Sequence, residues 1–263
     1  EGNGPEAAAR KARFAMIGLV CAETGARAVL TGHTLEDQAE TVLLGLLRGS
    51  GARSLSGMAG VAPLPIARSD HADRSDQRGP MLLRPALTLT HEVLAAAAQA
   101  AGLQAWHDPH NEDPRYRRVT ARQEVVPLLT EALGPAVTAG LARSAALLRD
   151  DADALDAWAD RVLARTARYP GPAAPALVEI DATGLAGEPV AVRRRALRSA
   201  LQAVGVPMGA VGAAHLARLD ALVADWRGQG PIALPGGHRG SRRYGTLVID
   251  GPFPANTDAP ARG

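Results

Sequence analysis

The opening third of the chain alternates structural periods so quickly that few architectures can hold it. Pro5 through Glu23 reads as a helix, with proline at its start, a long alanine-rich body and Gly25 just past its end. Ala26–Thr31 is a short apolar run, the length of a buried parallel strand. From Thr34 to about Leu47 a second helix is predicted, with Leu35, Ala39, Val42, Leu43, Leu46 and Leu47 forming one apolar stripe. Helix, strand and helix with short joints is the rhythm of an α/β parallel sheet.

The remaining elements are coarser. Arg68–Pro80 is polar and turn-rich, so a loop is expected there; Met81–Leu87 fits another strand. Thr90–Ala101 is a predicted helix with Thr90 as its N-cap and Gly102 as its stop. Asp108–Pro114 holds too many turn formers to be regular. Helical pattern resumes near Val119 and runs almost continuously from Pro135 to Arg168, which places a domain boundary near residues 130–150. Further helices are expected near Pro189–Val204 and Val211–Trp226, and alternation in Tyr244–Ile249 predicts a small hairpin. The Pro/Ala-rich end beyond Pro252 reads as a disordered tail over 253–263.

Composition narrows the function classes. The 263 residues suffice for one large domain or two ordinary ones, and with aromatics at 3% the core must be built from alanine and leucine. No apolar run reaches the length of a membrane span, so no membrane partner is expected. The single cysteine, Cys21, excludes an internal disulfide and any Cys-x-x-Cys site; it lies in an apolar run as a buried thiol, which points to a reducing cytoplasm. Net charge is +2, and Lys11 is the only lysine. Arginine suits phosphate through its planar fork of donors, but GC-rich coding produces the same bias.

The densest chemistry lies in Thr31-Gly32-His33-Thr34-Leu35-Glu36-Asp37-Gln38-Ala39-Glu40-Thr41. On a helix His33, Asp37, Glu40 and Thr41 share the side opposite the apolar stripe, so they are expected on an exposed face at the C-terminal end of a parallel strand, where open α/β sheets bind ligands. Thr34-x-x-Asp37 also reads as a capping box. Next comes Arg48-Gly49-Ser50-Gly51, in which Arg48 and the glycine-flanked backbone fit a phosphate; ordinary helix C-capping is the other reading. Arg118 and Arg122 sit one helical turn apart, either facing one anion or forming a solvated face.

His33-x-x-Glu36-Asp37-Gln38-x-Glu40-Thr41 followed by Leu46-Leu47-Arg48-Gly49-Ser50-Gly51 resembles the second signature of tRNA(Ile)-lysidine synthetases, members of the PP-loop ATP pyrophosphatase superfamily. Glu36-Asp37 stands where the family usually has Asp-Asp, and Thr34 where it often has His. Downstream, Leu82-Leu83-Arg84-Pro85, then Trp106-His107-Asp108-Pro109-His110-Asn111-Glu112-Asp113, then Tyr116-Arg117-Arg118-Val119-Thr120-Ala121-Arg122 are similar to further family segments, with Val119 in place of the usual Asn. The resemblance implies a parallel-sheet PP-loop domain over 1–135 and a mainly helical tRNA-binding domain over 136–252.

It also implies the chemistry. ATP adenylates the wobble cytidine of an isoleucine tRNA with a CAU anticodon, and free L-lysine displaces AMP, giving lysidine and pyrophosphate; Mg²⁺ is the expected metal. His33, Asp37 and Glu40 would be catalytic, with the two carboxylates on the lysine ammonium or the metal. Arg48, Gly49, Ser50, Gly51, Arg118 and Arg122 would bind nucleotide phosphate. Arg193, Arg194, Arg198, Arg239, Arg242 and Arg243 would contact tRNA, and Tyr244 beside Arg243 is either a base-stacking ring or a core aromatic. A homodimer is compatible with all of this. The family's Ser-Gly-Gly-x-Asp-Ser motif is absent from the 263 residues, so a chain shortened at its N-terminus, with weak ATP binding, is expected. A PP-loop thiolation enzyme and a tRNA-binding protein that has lost its ATP site are the other readings.

Overall fold

The computed structural model describes residues 5–49, 51–65, 79–106, 108, 112–171 and 176–251. It divides into two compact units, residues 1–152 and 153–263. The tail over 253–263, Ser50 and most of the expected 68–80 loop lie outside the described residues.

The first unit begins with α1 (Pro5–Thr24), which Gly25 terminates at φ +67° while the Ala26 N–H closes back on the Cys21 carbonyl at 3.1 Å. α1 turns Phe14 and Cys21 onto Leu64 and Leu82, forming the small core of the sheet. The sheet has the order β1-β3-β2, from β1 (Ala28–Leu30), β2 (Val61–Pro63) and β3 (Met81–Leu83). β1 and β3 pair in parallel, as the helix–strand–helix rhythm requires. β2 is antiparallel to β3, an addition not legible in a three-residue strand that ends in proline.

α2 (Leu35–Leu47) follows β1. Its burial corrects the stripe drawn from periodicity. Ala39 and Val42 are buried as expected, but Leu46 and Leu47 are 52% and 80% exposed, while Gln38 and Glu40 are buried. The polar side is not solvated because α5 (Arg117–Thr120) and a π-helical turn at Ala121–Val125 pack over it. That turn runs into α6 (Val126–Leu133), where Pro127 cannot donate to the carbonyl four residues back. The Val126 N–H instead reaches the Ala121 carbonyl, five residues back, and the widened turn accommodates the proline. α3 (Ala52–Leu55) and α4 (His91–Ala100) complete the unit, α4 being capped by the Thr90 hydroxyl, which accepts from the Val93 N–H.

α7 (Val137–Thr166) is the long helix expected from Pro135 onward. The second unit builds a five-stranded antiparallel sheet of order β4-β5-β8-β7-β6, from β4 (Ala167–Arg168), β5 (Leu177–Asp181), β6 (Ile232–Ala233), β7 (Arg239–Arg243) and β8 (Thr246–Asp250). The expected hairpin is real, but it is the centre of this sheet and not an isolated ornament. Val178 and Ile180 from β5 and Leu247 and Ile249 from β8 are fully buried alternate residues. They pack with Val192, Ala196, Leu197 and Leu201 of α9 (Val190–Ala203), and with Leu219 and Leu222 of α10 (Ala213–Ala224). α8 (Ala182–Ala186) joins β5 to this layer. Leu197 is 0% exposed at the centre of the cluster, so Leu197→Ala is expected to cost about 2–5 kcal/mol of stability in urea denaturation.

Candidate active site and nucleic-acid surface

α2 places its carboxylates at the C-terminal edge of β1. The Asp37 carboxylate accepts the Thr34 backbone N–H at 2.9 Å, so the capping role read from the sequence is present. Its other oxygen accepts from Arg122 Nη2 at 2.9 Å, so the same residue serves the cluster as well. Glu36 is spent on structure, accepting the His91 N–H at the start of α4 at 2.9 Å. Gln38 is structural too: its amide donates to the Met58 carbonyl at 3.0 Å and accepts the Met58 N–H at 2.7 Å. Gly57 lies under that amide at φ +61°, where an added Cβ would sit 2.6 Å from the Gln38 oxygen.

Glu40 is the centre of the cluster. It is 1% exposed, contrary to the exposed face expected, because two arginines from the overlying α5 and π turn cover it. Arg122 donates to both of its oxygens, at 2.6 and 3.2 Å, and Arg118 Nε lies 3.6 Å away. Arg118 also donates to the Thr41 hydroxyl at 3.2 Å. Burial pushes the Glu40 pKa above the ordinary carboxylate value, while the Arg122 hydrogen bond and charge oppose the rise. For Arg122 burial alone would lower the pKa, and Glu40 and Asp37 outweigh it.

His33 stands beside this cluster, its Nδ1 2.8 Å from the Thr31 hydroxyl. Burial is the largest influence on its pKa and lowers it; Asp37 opposes, and Arg84, Arg118 and Arg10 add to the lowering. A neutral imidazole at pH 7 follows. Because the folded value lies below the unfolded one, the stability this residue contributes is present above about pH 6.5 and is lost as pH falls further.

Thr41 and Arg118 have a second neighbour. They form part of the wall of a cavity of about 410 Å³, whose lining also holds Arg10, Arg48, Arg53, Arg84 and Arg149 and, among the described residues, no carboxylate. Arg84 is buried at 8% exposure; one terminal nitrogen donates to the Ala59 carbonyl at 2.7 Å, and its Nε has no partner among the described residues. Arg149 donates to the Ser56 and Gly57 carbonyls. So many guanidiniums around one opening, with a buried donor left over, are matched by a polyanion. Sequence reasoning singled out only Arg48 and Arg118 of this set. Arg84 was visible in Leu82-Leu83-Arg84-Pro85, whereas no local pattern marked Arg10, Arg53 or Arg149. Gly49 and Gly51 lie outside the lining: Gly49 turns the chain at φ +62° and Gly51 precedes α3.

In the second unit the arginines divide into two groups. Arg193 is held by Asp220 at 2.7 and 3.3 Å and by the Glu188 carbonyl at 2.7 Å, with its side chain 13% exposed. Arg194 shares Asp220 at 3.3 Å, and Arg239 is paired bidentately with Asp250. Arg242 donates to the Leu222, Val223 and Tyr244 carbonyls and covers the Trp226 ring at 5.0 Å. Arg198 and Arg243 are exposed and have no ion-pair partner among the described residues. The crowded basic helix is thus mostly neutralised inside the fold.

Asp37→Asn is expected to lower the His33 pKa further, because it removes the one charge that opposes burial. Titration of the His33 ring by NMR checks this; an unchanged or raised value would contradict the geometry.

Two comparisons with known proteins fit this layout. Residues 1–129 match the PP-loop domain, and residues 180–248 match the TilS substrate binding domain. The chain is 48% identical to the tRNA(Ile)-lysidine synthase of Thermobifida fusca over 94% of its own length and 68% of the relative's. It is 46% identical to that of Streptomyces coelicolor, over 94% of this chain and 64% of the relative, and 44% identical to that of Salinispora arenicola, over 95% and 69%. The chain spans about two thirds of the length of these relatives. With a parallel-stranded α/β unit carrying the acidic and basic poles and a second unit matching the substrate-binding domain, the chain belongs to the tRNA(Ile)-lysidine synthase family.

Proposed function

We propose that this protein attaches lysine to the wobble cytidine of the isoleucine tRNA with a CAU anticodon, using ATP. In this reading the cytosine C2 oxygen attacks the α-phosphorus of ATP and pyrophosphate leaves. The amine of free lysine then attacks C2, AMP departs with the oxygen, and the amine proton is given up. The observation that carries the reading is the pairing of two opposite poles across Thr41 and Arg118. On one side the partly exposed Asp37 carboxylate presents negative charge beside the buried Glu40; on the other, a cavity of about 410 Å³ is walled by arginines. A reaction that brings a cationic amine to a phosphorylated base needs both, side by side.

Roles follow from exposure. Asp37, with its side chain 17% exposed, is the carboxylate that meets the lysine ammonium; Glu40, at 1%, holds Arg118 and Arg122 in place. Arg48, Arg84 and Arg118 neutralise phosphate in the cavity, and neutral His33 orders the edge nearest Asp37. Arg198 and Arg243 supply exposed contacts to tRNA phosphates, while Arg193, Arg194, Arg239 and Arg242 support the surface that carries them. Mg²⁺ does not fit the acidic pair as it stands, since guanidinium groups engage the Glu40 oxygens and one of Asp37. The thiolation reading loses ground because Cys21 is buried on the core face of α1.

The test is incorporation of labelled lysine into that tRNA by the protein of the complete gene. Asp37→Ala is expected to lower incorporation roughly 100-fold with tRNA affinity retained; unchanged activity would sink the assignment of Asp37. Arg48→Gln is expected to raise the KM for ATP or tRNA about 5–10-fold and leave that for lysine unchanged. Retained tRNA binding with no incorporation by the wild-type protein would favour the non-catalytic reading instead.

A further inference from the structure

The turn between β7 and β8 has a chemical oddity. Tyr244 adopts φ +52°, the left-handed region, and is the one non-glycine residue there among the described residues. Gly245, next to it, does not use that region. Two-residue hairpins whose first central residue alone has positive φ favour glycine at that place, so an aromatic side chain is a costly choice. Packing does not explain it: Tyr244 is 89% exposed.

The turn is fastened on both sides. Arg242 Nε donates to the Tyr244 carbonyl at 2.8 Å, while the same guanidinium donates to Leu222 and Val223 at the end of α10 and lies over Trp226. On the other side the Ala182 N–H, at the start of α8, donates to the Gly245 carbonyl at 2.8 Å. A ring held out in water by a strained, braced backbone is pre-organised for a partner that supplies a flat face. Arg243 is exposed next to it, and the sequence from Trp226 to Ile249 contains no acidic residue. The charge excludes a basic partner and favours an anionic one; flat faces on an anionic chain are the unpaired bases of RNA.

We propose that the β7–β8 tip is a base-stacking site, in which Tyr244 stacks on an unpaired base of the bound RNA and Arg243 meets the adjoining phosphate. Arg242 is a positioning residue that keeps the tip rigid. This rests on the reading of the chain as a tRNA-binding enzyme, and deepens it by naming a nucleobase contact in the second unit.

The experiment measures affinity of the full chain for the CAU-anticodon isoleucine tRNA at several salt concentrations, together with thermal melting. Tyr244→Gly relieves the backbone and is expected to keep or raise Tm, while weakening tRNA binding about 5- to 100-fold with an unchanged salt slope. Tyr244→Phe is expected to bind like wild type. Arg243→Gln is expected to weaken binding and reduce the salt slope by about one. Equal tRNA affinity for wild type and Tyr244→Gly overturns the stacking site and leaves the enzymatic reading standing. No tRNA binding by the wild-type chain overturns both.

Discussion

Glu40 is a carboxylate almost wholly removed from water in the middle of α2, and much of the first unit is arranged around satisfying it. A buried carboxylate without partners would be expelled or protonated. Here Arg118 and Arg122 descend from α5 and the π turn and supply the missing charge. The pairing fixes where that segment crosses α2. It also sets Arg118 between the acidic pair and the arginine-walled cavity, with Thr41 as the shared post. The π turn belongs to the same arrangement, since it carries Arg122 while adapting the helix to Pro127.

Charge of both signs meets in one compact site: Asp37 and Glu40 are paired with Arg118 and Arg122, and Arg118 also belongs to the arginine-walled cavity. The second unit uses the same residue type differently. Arg193 and Arg194 converge on Asp220, and Arg195 on Asp156, so these arginines bind the fold together. Its outward charge is left to fewer positions, among them Arg198 and the hairpin around Arg243.

The sequence revealed the regular parts well and the tertiary consequences less so. α1, β1, α2 and α4 follow from proline, glycine and threonine punctuation and from apolar periodicity, and they occur where those signals fall. The two arginines spaced one turn apart and the acids of α2 were recognisable as chemistry. What periodicity could not show was that Arg118 and Arg122, far along the chain, would cover Glu40 and turn an apparently solvated face into a buried one. Leu46 and Leu47 continue the helical stripe in sequence yet stand exposed. β4 and β6 are two-residue strands that exist only because β5 and β7 offer edges to pair with, so no local pattern announces the full sheet. Likewise the partners of the second unit's arginines are set by packing, and a string of arginines reads the same whether it is spent inside or outside.

The most direct test of this account is a double-mutant cycle on Glu40→Gln and Arg122→Gln, read by urea denaturation. If the buried pair organises the site, each single change destabilises the protein and the two together cost less than their sum, with a coupling of about 1–3 kcal/mol. Costs that add to within about 0.5 kcal/mol would show that Glu40 and Arg122 act independently and would contradict the account.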